Sequence, residues 1–136
     1  MPARVDTKEV EVFDEEGNGY GKFTVKPQDT NQPMWLKRLM DAKKVLSPHD
    51  RNRVEKPKTE ADIQFGRNIS IKLFVDHYVA DSVINDADGK PLEHSKEMVL
   101  AYLSDPERFW IFRQVDDFAA DLANFRKEAV KASKNG

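Results

Sequence analysis

The chain has 136 residues, with 22 Lys+Arg against 24 Asp+Glu, no Cys, 34% charged and 39% hydrophobic residues. That length suits one domain, the 8 Phe, 3 Tyr and 2 Trp argue against wholesale disorder, and a charged fraction above the usual ~25% calls for a strongly ionic surface. No apolar run nears the roughly 18 residues of a membrane span, and MPARVDTKEV lacks the apolar stretch of a signal peptide. Without Cys there is no disulfide scaffold or thiolate metal site, so a cytoplasmic location without membrane association is expected.

Charge is unevenly spread. Residues 1–30 carry 4 basic and 7 acidic groups, residues 31–58 carry 8 and 3, and residues 59–136 carry 10 and 14. A segment of +5 therefore lies between two acidic ones.

Residues 1–30 read as a β-hairpin. Val10 and Val12 alternate with Glu9 and Glu11, and Phe23 and Val25 with Lys22, Thr24 and Lys26, the period of half-buried strands. Glu15-Glu16-Gly17-Asn18-Gly19-Tyr20-Gly21 between them supplies the glycines of a reversal. Two strands alone are marginal in water, so the hairpin must lean on helices.

A helix is predicted over 31–46, capped by Thr30 or Asn31, with Pro33 in its first turn and Trp35, Leu39, Ala42 and Leu46 on one face. Ser47-Pro48 ends it, and the polar, proline-bounded stretch 47–58 reads as a solvated basic loop. A long helix capped by Thr59 is predicted to run to about Ile84, because apolar residues from Ile71 onward occupy nearly every direction around its axis. Asn85-Asp86-Ala87-Asp88-Gly89-Lys90-Pro91 is a turn, Ser95 caps a short helix through Leu103, and Asp105-Pro106 opens a final one. In that helix Ile111, Val115, Phe118, Leu122, Phe125 and Ala129 form an apolar seam, and residues 131–136 are a frayed tail. The expected fold is α+β and mainly α-helical: one domain over 1–136, an N-terminal β-hairpin followed by about four helices, with the helical core over 59–130.

Chemistry is sparse. No phosphate loop, dinucleotide fingerprint or nucleophile elbow occurs. His49, His77 and His94 are scattered and form no zinc pair. Asp86-Ala87-Asp88-Gly89 would need carboxylates where Ile84 and Ser95 stand to be a calcium loop. Asp116, Asp117 and Asp121 share one helix without a pocket to separate their pKa values. No catalytic residue, metal or cofactor is expected.

Two binding features remain. Lys43, Lys44, Arg51, Arg53, Lys56 and Lys58 form a basic patch, to which Lys37 and Arg38 add charge. Segment 37–58 has the residues for phosphate neutralisation, so a nucleic-acid-associated or regulatory protein is the alternative function. An overall pI of 5.9 and the lack of interleaved aromatics weigh against it. The second feature is Phe109-Trp110-Ile111-Phe112. Four successive helical residues span about 300° of the axis, so they cannot all face one core. Phe109, Trp110 and Phe112 either cover the hairpin or first helix, or anchor a partner chain. Trp35, within Met34-Trp35-Leu36, poses the same choice.

The order of these pieces carries a resemblance. It consists of Phe23-Thr24-Val25-Lys26-Pro27 after a strand-rich start, a charged helix and loop, and a long helix ending in the turn Val83 to Leu92. A short helix follows, then a final one with Ile111-Phe112-Arg113-Gln114-Val115 and Ala123-Asn124-Phe125. Over most of residues 20–126 this resembles the tail assembly chaperones of long-tailed bacteriophages. The resemblance implies a small helical, non-enzymatic protein of the infected bacterial cytoplasm, absent from the mature virion. Such a protein binds the tape measure protein, keeps it soluble and promotes assembly of tail tube protein, with self-association or lateral packing of several copies. The basic stretch 47–58 has no counterpart in that pattern, and no family active site is carried over.

Overall fold

The computed structural model describes residues 6–126. Strands β1 (Lys8–Phe13) and β2 (Gly19–Val25) form the hairpin, with Val10 opposite Phe23 and Glu11 opposite Lys22. Lys22 Nζ lies 3.8 Å from the Glu9 carboxylate, the one cross-strand ion pair of the kind the alternating charges suggest among the described residues. Asp14 closes the turn by accepting hydrogen bonds from the Asn18 and Glu16 backbone N–H groups.

Helix α1 (Pro33–Lys44) is two residues shorter at each end than the predicted 31–46. Gln32 occupies the cap position, while Thr30 and Asn31 lie in the preceding turn. Residues 47–58 are not a loop: α2 (Pro48–Glu55) occupies most of them. Ser47 Oγ accepts the Asp50 N–H and Pro48 fills the first helical position, a complete start signal despite the low apolar content. Helix α2 ends before Pro57, where the residue ahead of proline is forced out of helical geometry.

Helix α3 (Glu60–Tyr78) has the expected Thr59 cap, whose Oγ1 accepts the Asp62 N–H. It stops at Tyr78, and Val79–Val83 is strand β3 rather than more helix. Strand β3 pairs antiparallel with β2, so the hairpin becomes a three-stranded sheet in the order β1-β2-β3. The β-branched Val79, Val83 and Ile84 suit a strand, and Ser82 and Ile84 turn inward while Val83 faces solvent. Apolar residues pointing in every helical direction thus mark the place where the period changes from 3.6 to 2.

After the turn at Gly89 (φ +80°), α4 (Lys96–Leu103) is capped by Ser95. A 3₁₀ turn at Pro106–Arg108 leads into α5 (Phe109–Ala120). The final helix does not continue through Phe125. It breaks at Asp121, which caps a second 3₁₀ turn, Leu122–Phe125. That break brings Phe125 into the core, while Leu122 is only half-buried. Ala129 and the tail 131–136 lie outside the described residues.

The fold is therefore α+β and mainly α-helical, with five α-helices among the described residues. The inner sheet face (Val10, Val12, Phe23, Val25) shares one core with Ile71, Phe74, Val75 and Tyr78 of α3, and α5 lies directly along β1 and β2. Val99 and Leu103 of α4 and Ile111, Phe112, Val115 and Ala119 of α5 complete the core.

Candidate functional site

Helix α1 is the least satisfied element. It buries no residue, although it contains Met34, Trp35, Leu36, Leu39, Met40 and Ala42. Trp35, Leu39, Ala42 and the following Leu46 are half-buried and lie within about 60° of one another at 100° per residue, forming the face that leans on the body. Met34, Leu36 and Met40 are each more than half exposed, and Val45 is 85% exposed. A lone exposed apolar side chain is ordinary, but on an ionic protein these four give α1 two open apolar edges, Leu36 with Met40 on one side and Met34 with Val45 on the other.

Between α1 and α3 runs a groove of about 450 Å³ whose floor is Ala42, Leu46, Ile69 and Leu73, with Val45 on its rim. Arg38, Asp41, Lys72, Asp76 and His77 supply a mixed ionic border. His77, expected in the middle of a long central helix, is instead exposed in the last turn of α3. Partial burial and the nearby Arg38 guanidinium hold its imidazole below the usual value, which favours the neutral form.

The basic patch divides. Arg53 is committed to structure: its Nε donates to Asp62 at 2.9 Å, and its guanidinium lies 4.3 Å from the centre of the Phe65 ring. Asp62 in turn accepts the Lys58 backbone N–H at 3.0 Å, so one carboxylate ties α2, the connecting turn and α3 together. Arg51 reaches the Lys43 carbonyl at the end of α1. Lys44, Lys56 and Lys58 are exposed, and Lys43 is half-buried. The surface that could meet phosphate is therefore smaller than the composition of 37–58 implies.

The aromatic run is satisfied mainly within the chain. Phe112 is 5% exposed and packs edge-on against Phe74, so it is a core residue and not a surface anchor. Phe109 is half-buried under the Arg67 guanidinium, 4.1 Å from its ring centre. Trp110 meets Tyr20 edge to face at 5.2 Å and keeps part of its surface open. Trp35 likewise rests against the core. The exposed Leu36, Met40 and Val45 emerge as stronger binding candidates, and the Met34-Trp35-Leu36 run was the signal for the first of them.

Sequence inspection also misses a Ser–His contact. Ser82 Oγ and His94 Nδ1 are 2.7 Å apart, and Asp81 Oδ1 is 3.9 Å from the same nitrogen. A catalytic triad places nucleophile and carboxylate on opposite ring nitrogens and exposes the nucleophile. Here both sit at Nδ1 and Ser82 is 7% exposed, so the contact satisfies a buried hydroxyl beside β3. Among the described residues, no group of His, Asp and Glu is arranged as metal ligands, and no helix is long and apolar enough to cross a membrane.

No protein-family model matches the sequence, and neither a curated protein nor a solved structure matches it.

Proposed function

We propose that this protein is a phage tail assembly chaperone that works by binding, without catalysis. In this reading it acts in the host bacterial cytoplasm, holds apolar helical segments of the tape measure protein, promotes tail tube assembly and leaves before the virion is complete. The observation that carries the reading is the α1–α3 groove: an open, charge-bordered groove of about 450 Å³ whose apolar lining is Ala42, Val45, Leu46, Ile69 and Leu73. A partner helix laid there would cover apolar surface that the chain itself leaves exposed, while the charged border keeps the complex in solution. The resemblance of the short sequence motifs, and not the order of the folded elements, supplies the identity of that partner.

Co-expression with the tape measure protein, followed by light scattering on the purified species, tests this. A soluble complex should form, and Val45→Asp should abolish it without altering the free protein's circular dichroism, because Val45 touches little of the fold. Continued aggregation of the tape measure protein in the presence of the wild-type chain would overturn the proposal.

A further inference from the structure

Away from the α1–α3 groove, the hairpin tip carries a cleft of about 850 Å³ lined by Phe13, Tyr20 and Trp110 and bordered by Asp14, Glu15 and Glu16. No Lys, Arg or His among the described residues lines it. Its walls are held in shape. Gln114 Nε2 donates to the Phe13 carbonyl at 2.8 Å, and its Oε1 accepts the Phe13 N–H. Tyr20 and Trp110 meet edge to face with their planes at 90°, forming a ridge beside the cleft. Phe13 and Tyr20 are each 45% exposed. The Asp14 carboxylate is engaged in the turn, where the Asn18 backbone N–H, donating at 2.8 Å, holds it below the usual value and so charged. The Glu15 and Glu16 side chains are exposed and meet no cation among the described residues.

Elsewhere the chain covers its outer rings with its own arginines. The Arg53 guanidinium lies 4.3 Å from the Phe65 ring centre and bonds Asp62 at 2.9 Å. Arg108 lies 4.2 Å from the Tyr102 ring centre, with the Asp105 carboxylate at 3.5 Å. Arg108 and Asp105 also line a smaller cleft, of about 320 Å³, on the far side of Tyr20 and Trp110. Two clefts therefore share one aromatic ridge. In the smaller one a guanidinium sits between a ring and a carboxylate; the larger has the rings and the carboxylates without a guanidinium among the described residues. A guanidinium stacks on an aromatic face, is weakly hydrated and forks onto a carboxylate, so it uses both features of the tip at once. A lysine ammonium is a strongly hydrated point charge and uses mainly the carboxylates.

We propose that the tip cleft binds an extended, arginine-bearing segment of another protein. An extended segment sends alternate side chains to the same side about 7 Å apart, and a cleft of this volume accepts more than one of them. One guanidinium lies against the Tyr20–Trp110 ridge, and the next meets Glu15 and Glu16. The inference is independent of the tape measure reading: it uses a different surface and leaves the α1–α3 groove free.

The probe is a labelled Arg-Gly-Arg-Gly-Arg peptide, titrated with the full chain at low salt and followed by fluorescence anisotropy. It should bind roughly threefold or more tightly than the Lys-Gly-Lys-Gly-Lys peptide. Tyr20→Leu should weaken the arginine peptide by roughly the same factor, and Tyr20→Phe should bind as wild type does, because the ring and not the hydroxyl is used. Glu15→Gln with Glu16→Gln should flatten the loss of affinity that added NaCl causes in the wild type. In the bound peptide the arginine side-chain protons beside the rings should move upfield in NMR spectra. Val45→Asp, which alters the α1–α3 groove, should leave peptide binding unchanged. If Tyr20→Leu disturbs the circular dichroism spectrum, the glutamine pair in the exposed turn and the upfield shift carry the test. No binding at low salt, equal affinity for the two peptides, or an affinity and salt dependence untouched in the folded variants would each overturn the proposal. So would loss of peptide binding in Val45→Asp, which places the peptide in the groove. Wild-type mass that grows with concentration and falls in the glutamine pair would give the cleft to a second copy, and overturn it as well.

Discussion

The sheet with α4, α5 and the second half of α3 differs in construction from the arm formed by α1, α2 and the first half of α3. In the first region buried apolar side chains meet on every side: Phe23, Phe74, Leu103, Ile111, Val115 and Phe125 are at most 1% exposed. In the second, α1 and α2 bury no residue, and the buried positions of α3 begin only at Ile71. The body is held by area removed from water. The arm is held by caps, the Arg53–Asp62 contact and one half-buried face, and it keeps its remaining apolar surface for contacts outside the chain. Stability in such a molecule is uneven, and the arm is the segment expected to open first.

The largest difference should appear on truncation. Phe74 is 1% exposed and its ring lies 5.9 Å from Tyr78 and 5.6 Å from Phe112. Phe74→Ala should cost about 3–5 kcal/mol, enough to threaten folding altogether. Met40→Ala in the arm should stay within about 0.5 kcal/mol of wild type. Urea titrations of the two variants would break the comparison if their costs were similar.

Glycines sharpen the contrast with opposite signs. Gly21 has φ +140°, and a Cβ there would lie 2.5 Å from Ile84 Cγ2 and 2.7 Å from the Val83 carbonyl oxygen. Gly21→Ala should therefore destabilise by about 1–3 kcal/mol, because strand β3 cannot retreat without losing its pairing. Gly66 lies in the arm half of α3 with open space around it. Gly66→Ala should stabilise by about 0.5–1 kcal/mol through helix propensity alone. Thermal melts of both decide the matter; a loss of stability in Gly66→Ala would show that the space around Gly66 is filled.

The same division explains what could be read in advance. The body was legible where pattern and burial agree: the alternation of Val10, Val12, Phe23 and Val25, the Ser95 cap and the Asp105-Pro106 opening all reappear in the fold, and in the arm the Thr59 cap does so too. Strand β3 was not legible as such, because a strand that follows a helix without a break extends the apolar run, and only long-range pairing with β2 separates the two. Helix α2 was missed for the opposite reason. Its start signal, Ser47-Pro48 with Asp50 at the third position, was present, but Val54 is its sole strongly apolar residue, so periodicity had nothing to register. Exposed Leu36 and Met40 could be named as helical neighbours, but their exposure depends on how few elements pack on α1. The tip ridge joins Phe13, Tyr20 and Trp110 across almost a hundred residues, and no local pattern announces such a meeting.

The smallest effects come from acid, where the two regions should respond with opposite signs. In the body, burial raises the Asp116 carboxyl above its ordinary 3.8, against the Gln28 amide that donates to it at 2.9 Å. A raised folded value means that the stabilising contribution belongs to the protonated form. It is complete below the unfolded pKa and is lost as pH rises through the folded one. At neutral pH, Asp116→Asn should therefore leave the melting temperature equal or raise it slightly, and the gain should vanish on acidification. In the arm, the Lys58 backbone N–H and the Arg53 side chain hold Asp62 below 3.8. Its contribution is present above the unfolded pKa and disappears as pH falls through the still lower folded value. Protection factors of the amides in residues 48–55, which correct for the intrinsic pH dependence of exchange, should hold through the ordinary carboxylate range and fall only in stronger acid, whereas Asp62→Asn should lower them at neutral pH with the protection of β2 and α5 unchanged. Equal acceleration in body and arm would show that α2 unfolds only with the whole molecule, and the arm would then have no separate stability to lose.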